Sequence, residues 1–300
     1  AVAEDQYDLW IGDEAWDVDY LLHENPELKT AAYAWLTDFV GFLPLPEGGD
    51  HEALLAADYN AEMIEHVERF PRVRDRAIFV GEPADIVPGT FGADLPDIRA
   101  WTEQHYDFSG YIPAVDFASL PPREEARAAL GWGAEETICL VAVGGTAVGA
   151  PLPRRVIDAL PAVSERLPGL RMIAVTGPRI DPASLPSTPG LEVHGYVHAL
   201  HRELAACDVA VVQGGLTTGM ELIAARRPFV SLPLRRHFEQ RLHVRHRLER
   251  YGASVSLEYT DATPEAIADA VAGALATPVA YRPVPTDGAA RAAALIAELL

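Results

Sequence analysis

From Glu136 onward the chain alternates short, continuous apolar runs with longer stretches of helical periodicity. The apolar runs are Thr137–Val143, Leu170–Val175, Leu191–His194, Asp208–Val212, Pro228–Leu232 and Ala253–Leu257. Between them, apolar residues recur every three to four positions at Pro153–Leu167, His198–Ala206, Thr217–Arg226, Phe238–Glu249 and Pro264–Ala276. Strands that are apolar on both faces and joined by helices predict a parallel, doubly wound α/β sheet. Right-handed crossovers make the runs at Thr137–Val143, Leu170–Val175, Asp208–Val212 and Pro228–Leu232 parallel neighbours, with Gly145 and Gly215 at one edge. Ligands of such sheets bind beyond the carboxyl ends of the strands.

The first 118 residues are less regular. Tyr7–Ile11, Tyr33–Leu36 and Ala77–Val80 read as strands, and the Gly- and Pro-rich segments Leu43–Asp50 and Gly81–Pro96 as loops. Tyr111–Pro122, with three prolines, reads as a linker. Pro278, Pro283 and Pro285 prevent a continuous helix from Pro264, so the chain must travel before a last helix at Asp287–Leu300. That helix carries Ala290, Ala293, Ala294 and Ala297 at spacings of three and four, which permit close approach of a neighbour. With Leu295, Leu299 and Leu300 as anchors, it is expected to pack against the first 118 residues.

Composition narrows the function classes. A chain of 300 residues with 49% hydrophobic and 23% charged residues suits two soluble domains. It has no apolar run of the roughly 18 residues needed for a membrane span, and its first residues lack the apolar core of a signal peptide. Cys139 and Cys207 fall in separate apolar segments, as buried thiols of a reducing, cytoplasmic compartment would. A formal charge of −20 argues against a nucleic-acid partner. The charge is uneven, however. Arg235–Arg250 holds six arginines against Glu239 and Glu249, a net +4, which leaves −24 on the remainder. Such a stripe is either a solvated helix face or a means of holding a small anion.

The most informative stretch is Gln213–Glu221, in which a buried strand runs into Gly214-Gly215 and then a helix opened by Thr217 and Thr218. A helix's first N–H groups and its dipole favour an anion, and paired glycines let a phosphate approach the backbone. The two threonines can cap the helix or donate to a phosphate oxygen. Taken alone, the stretch is equally an ordinary strand–turn–helix. Gly144-Gly145-Thr146 forms a second turn at the same edge.

The ordered set Val193–Val197, Gln213–Thr218 with Glu221, Pro228–Leu234 and His237–Gln240 resembles the donor domain of GT-B-fold glycosyltransferases. The group in question is the UDP-glycosyltransferase-like one that includes bacterial natural-product and cell-wall enzymes. The resemblance spans about residues 110–300 and extends faintly over 5–110. It implies two Rossmann-like domains with parallel sheets facing a cleft. Residues 1–118 would be the acceptor side, apparently incomplete at its start, 119–280 the nucleotide-sugar domain, and 281–300 a helix crossing back. It also implies a UDP- or dTDP-sugar as co-substrate, no metal, inversion at the anomeric carbon, and a small-molecule or lipid acceptor, with homo-oligomers possible.

Residue by residue, the resemblance places Gln213, where the family has His, beside the pyrophosphate. Gly144, Gly145, Thr146, Gly214, Gly215, Leu216, Thr217 and Thr218 would line the phosphates, and Tyr196 and Val197 would cradle the base. Glu221 would accept the ribose hydroxyls, or else be a first-turn acid favoured by the helix dipole. Glu239 and Gln240, in place of Asp-Gln, would grip the transferred sugar. Asp13 closes a strand where the family orients a catalytic His, with Glu14 as the lesser candidate. His23 is the nearest histidine downstream and is expected at the surface. Two other readings stay open: a nucleotide-sugar-binding subunit without its own base, and a nucleotide-sugar epimerase relying on Glu239 and His237.

Overall fold

A computed structural model describes residues 7–144, 150–253 and 255–300. The chain divides into two compact units, one formed by the residues up to Pro113 with Pro285–Leu300, the other by Ala114–Val284.

The first unit is built from β1 (Leu9–Asp13), α1 (Trp16–Glu24), β2 (Ala32–Thr37), α2 (Gly49–Arg69), β3 (Arg76–Phe79), α3 (Ile98–His105) and β4 (Asp107–Phe108). All strands are parallel and lie in the order β1-β2-β3-β4. Because each right-handed crossover steps the same way, all three helices fall on one face. Side chains from that face of the sheet and all three helices, among them Tyr33, Trp35, Phe79, Leu22, Ile64 and Trp101, share one core. The alternate residues of β2 and β3, Ala34, Leu36 and Ile78, point the other way.

The second unit comprises α4 (Arg123–Ala129), β5 (Thr137–Ala142), α5 (Pro151–Asp158), α6 (Leu160–Arg166), β6 (Leu170–Val175), β7 (Leu191–His194) and α7 (His201–Ala206). It continues through β8 (Val209–Val212), α8 (Leu216–Ala224), β9 (Phe229–Ser231), α9 (Arg245–Arg250) and α10 (Pro264–Ala276). Its five strands are all parallel, in the order β7-β6-β5-β8-β9. The expected neighbours are therefore paired as the apolar runs require. The chain steps outward from β5 to β7, then returns to place β8 on the other side of β5. α5, α6 and α10 cover one face, burying Val156, Val163 and Ile267 against Val141, Met172 and Val211.

The last helix, α11 (Gly288–Ala297), belongs to the first unit. Leu295, Ile296 and Leu299 pack on Ala34, Leu36 and Ile78, the face that α1–α3 leave uncovered. Arg291 donates to Glu82 (3.1 Å) and to the Phe108 carbonyl (2.9 Å), and Arg76 pairs with Glu298 (2.6 Å). At its start, a Cβ on Gly288 would stand 2.0 Å from the Tyr111 carbonyl oxygen, so the helix can enter only through glycine.

Four expectations need correction. The long pattern Pro153–Leu167 is two helices, because Pro161 has no N–H to continue the ladder past Ala159. Among the described residues of Ala253–Leu257, the pairing is one isolated bridge, Ser231 to Ser256, rather than a strand. Within Phe238–Glu249, residues Glu239–Val244 are a π-helix and only Arg245–Arg250 is α. The 21-residue α2 begins inside the segment read as a loop. Its buried stripe is only Ala56, Asn60 and Ile64, too narrow to show as helical amphipathicity.

In the second unit, Arg127 is a fully buried cation. It pairs with Asp208 (3.0 Å) and donates to the carbonyls of Ala206, Gly133 and Glu136. Asp208 in turn accepts from the Ile138 N–H, so this network fixes α4 beneath β5 and β8. Asp208 also pairs with Arg123, so Arg127→Ala would leave three carbonyls without this donor rather than an unpaired carboxylate, and should cost about 2–4 kcal/mol. Urea unfolding of parent and variant measures it, and a loss below about 1 kcal/mol would show the network to be replaceable by water.

Candidate functional site

The reversal of strand order falls between β5 and β8, and ligand crevices open at such switch points. Gly144 follows β5 and Gln213 follows β8, and the Gly144 N–H donates to Gln213 Oε1 at 3.4 Å. Gln213 is buried, so its amide bridges the two strand ends at the floor of the crevice. Gly145 and Thr146, expected in the same turn, lie outside the described residues.

The backbone then turns sharply. Gly214 has φ +88°, and a Cβ there would sit 2.8 Å from Ser231 Oγ at the end of β9. Gly215 is the residue before α8, and a Cβ built on it meets no atom within 4 Å. The first glycine is required by the fold; the second is not crowded by any described residue. Among the described residues no side chain caps α8, which removes the capping reading for Thr217 and Thr218 and leaves that of phosphate donors; both are inside the helix, as its second and third residues. The first ladder bond runs from Gly219 N to Gly215 O (3.2 Å), so the N–H groups before it lie outside α8's own ladder. Leu248 Cδ2 would be 2.8 Å from a Cβ on Gly219, so α8 and α9 approach through this glycine.

Glu221 is the sixth residue of α8, beyond its first turn, which removes the reading of a dipole-stabilised helix-end acid. It is 7% exposed, and none of the described residues donates a hydrogen bond to its carboxylate. Burial pushes its pKa up to about 7. A carboxylate held this way is a strong acceptor awaiting donors.

Further along, Gln240 is buried and its Oε1 accepts from the Leu234 N–H (3.1 Å), holding the turn after β9. Glu239, its neighbour at the start of the π-helix, is half-buried. His237 Nδ1 is buried without a partner, and burial lowers the pKa of its ring. Tyr196 is exposed and Val197 half-buried just past β7, at the same edge of the sheet. The arginine stripe is not simply a solvated face. Arg247 is buried, while Arg241 (3.4 Å) and Arg245 (2.8 Å) both pair with Glu258.

In the first unit, Asp13 is exposed at the end of β1. Glu14, which follows it in left-handed backbone (φ 50°), is the more unusual group. Its Oε1 accepts from Thr37 Oγ1 (3.0 Å) and from the Asp38 N–H (3.2 Å). Burial and the nearby Asp38 carboxylate push its pKa up to about 7. His23 is not at the surface. It is 1% exposed, stacked 5.5 Å from His66, with Nδ1 2.8 Å from the Asp19 carbonyl. Among the described residues, no group of three or more His, Cys, Asp or Glu could hold a metal ion, and no helix is long and apolar enough to cross a membrane.

Residues 138–299 match the model of the glycosyltransferase family 28 C-terminal domain. The chain belongs to this family. It is 30% identical over 224 residues to an uncharacterized glycosyltransferase of Methanopyrus kandleri, covering 73% of this chain and 62% of that relative. It is 31% identical over 180 residues to the UDP-N-acetylglucosamine–N-acetylmuramyl-(pentapeptide) pyrophosphoryl-undecaprenol N-acetylglucosamine transferase of Mycolicibacterium vanbaalenii, covering 55% of this chain and 44% of that relative. The chain thus spans less than two thirds of either relative's length. Its fold is that of solved GT-B enzymes. The spinosyn rhamnosyltransferase SpnG, complexed with thymidine diphosphate, matches with a TM-score of 0.56 at 19% identity, over 97% of this chain and 69% of SpnG. The Arabidopsis thaliana UGT89C1 complexed with UDP matches with a TM-score of 0.58 at 13% identity, over 99% of this chain and 74% of that one.

The Glu221 carboxyl makes a pH-dependent prediction. Its folded pKa of about 7 lies above the ordinary 4.5, so the folded state holds the proton more tightly. Burial therefore costs nothing below pH 4.5, and its cost grows as pH rises towards 7 and then levels off. Glu221→Gln should gain stability over the parent across that interval, by about 2–3 kcal/mol at pH 8. Urea unfolding from pH 5 to 8 checks it, and a gap that stays constant would contradict the assignment.

Proposed function

We propose that this chain binds a nucleoside-diphosphate sugar and transfers the sugar, with inversion, to an acceptor hydroxyl. The observation that carries this reading is the switch-point crevice with a buried carboxylate, Glu221, that has no donor among the described residues, in a chain of the glycosyltransferase 28 family. An ionised carboxylate takes only donors and can accept both hydroxyls of a ribose diol. Around it, Gly215, Leu216 and Thr218 present N–H groups and the helix dipole to the diphosphate, with Gln213 alongside. Tyr196 and Val197 flank the base. Glu239 and Gln240 meet the sugar, Gln240 through its NH2 group because its oxygen is already bonded. UDP and dTDP are the donor nucleotides to test first, since solved structures of the same fold are complexed with each.

The transfer also needs a group to take the acceptor proton. In the first unit Glu14 has the environment for this: a pKa of about 7, one oxygen fixed by two donors, and no described donor on the other. A proton acceptor works best when its pKa lies near the operating pH. Asp13, the neighbouring exposed carboxylate, orients or supplements it.

Calorimetric titration with UDP and dTDP tests the donor half. Binding of at least one is expected, and Glu221→Ala should weaken it by about 1–3 kcal/mol, the cost of leaving the diol's donors unpaired. Absence of binding by either nucleotide at millimolar concentration would overturn the reading. For the proton acceptor, Glu14→Gln should lower kcat roughly 10²–10⁴-fold and remove the limb near pH 7 from the pH–rate profile. A profile with that limb retained would exclude Glu14.

A further inference from the structure

A cavity of about 270 Å³ opens against α1, α2 and the loop after β2, entirely within the first unit. Its walls are aromatic. Trp16 and Phe42 stand 6.3 Å apart, Phe42 and Tyr59 5.6 Å, and Tyr20 closes another side. Three of these rings are unusually open for their size: Trp16 is 36% exposed, Tyr20 53% and Tyr59 59%. Large aromatics gathered around one opening, rather than scattered singly, mark a recognition surface.

The polar groups decide what is recognised. One cation, Arg74, and one imidazole, His66, line the cavity, and each is already matched. Arg74 is bound by Asp19 through two hydrogen bonds (2.8 and 2.6 Å) and lies over the Trp35 ring, while His66 meets Glu24 at 3.0 Å. Two further carboxylates lining the cavity, Asp17 and Glu62, have no such partner among the described residues, where Glu62 accepts a weak bond from the Tyr20 hydroxyl (3.4 Å). The excess is therefore negative, and the carboxylates of Glu62 and Glu24 hold the Tyr20 hydroxyl above its ordinary pKa. Lys29, the sole lysine or arginine among the first sixty residues, is engaged by Asp75 at 2.6 Å. Aromatic faces carry the negative side of the ring quadrupole, so together with unmatched carboxylates they select a cation with an apolar surface.

We propose that this cavity binds a small organic ammonium group, seated between the rings of Trp16, Phe42 and Tyr59 and held at the rim by Asp17 and Glu62. All the residues that line the cavity belong to the first unit, and the proposal stands whether or not the chain transfers a sugar.

Calorimetric titration with choline and with its neutral isostere 3,3-dimethylbutan-1-ol, at low ionic strength, tests it. Choline should bind about tenfold or more tightly than the isostere, since shape and apolar area are the same and only the charge differs. Tyr59 and Glu62 are both exposed on α2, so their replacement leaves the fold intact. Tyr59→Ala and Glu62→Gln should each weaken choline about fivefold or more, and Glu62→Gln should leave the isostere unchanged. Equal affinity for the two probes would show a merely apolar cavity. No heat from choline at millimolar concentration, or variants that bind it as the parent does, would overturn the site. UDP and dTDP titrations are read separately, so failure here and failure of the donor reading are distinguishable.

Discussion

The right-handedness of the β–α–β crossover organises both halves of this chain. In the first unit every step runs the same way along the sheet, from β1 to β4, so α1, α2 and α3 must share one face. The other face, with Ala34, Leu36 and Ile78, would then stay in water. Burying such residues is the main favourable term in folding, at about 25 cal/mol per Å² of apolar surface. The chain covers it with α11, which follows nearly two hundred residues later and is tied by Arg291 to Glu82 and by Glu298 to Arg76. The second unit obeys the same rule but reverses direction after β7. That reversal separates the helices to two faces and opens the crevice between Gly144 and Gln213.

The site departs from the rules that govern the rest of the fold. Elsewhere, buried charges are matched: Arg127 by Asp208, Arg74 by Asp19. Glu221 and Glu14 are instead placed where desolvation lifts their pKa to about 7. Each costs stability at neutral pH in the free protein. Such costs persist where a ligand or a reaction supplies the missing partner. The two carboxylates differ in the way their proposed roles require. Glu221 has no donor among the described residues and suits a diol; Glu14 is oriented by Thr37 and Asp38 and suits a proton.

Much of the second unit was legible in its residues. Continuous apolar runs bounded by Gly and Pro have few alternatives to buried parallel strands, so β6 and β7 were read to the residue, and β5, β8 and β9 within one. The Gln213–Glu221 stretch was visible because its glycines and hydroxyls interrupt such a pattern. The first unit was harder. α2 buries a stripe one residue wide, and its apolar residues Leu54, Leu55 and Tyr59 face solvent, so periodicity gave no signal. His23 looked like a surface residue because no local pattern shows that α2 will bring His66 over its ring.

The sequence by itself determined the five strands of the second unit, their parallel pairing and the turn chemistry at the strand ends. These depend on local periodicity, on the conformations open to glycine and proline, and on a fixed crossover hand. The tertiary structure alone decided burial and charge state. That Glu221 is buried with no donor among the described residues, that Glu14 shares its oxygen between Thr37 and Asp38, and that four aromatic rings meet beside Asp17 and Glu62 all follow from contacts between residues far apart in the chain. Desolvation and Coulomb interactions act through space, and no pattern along the chain records the distances that set them.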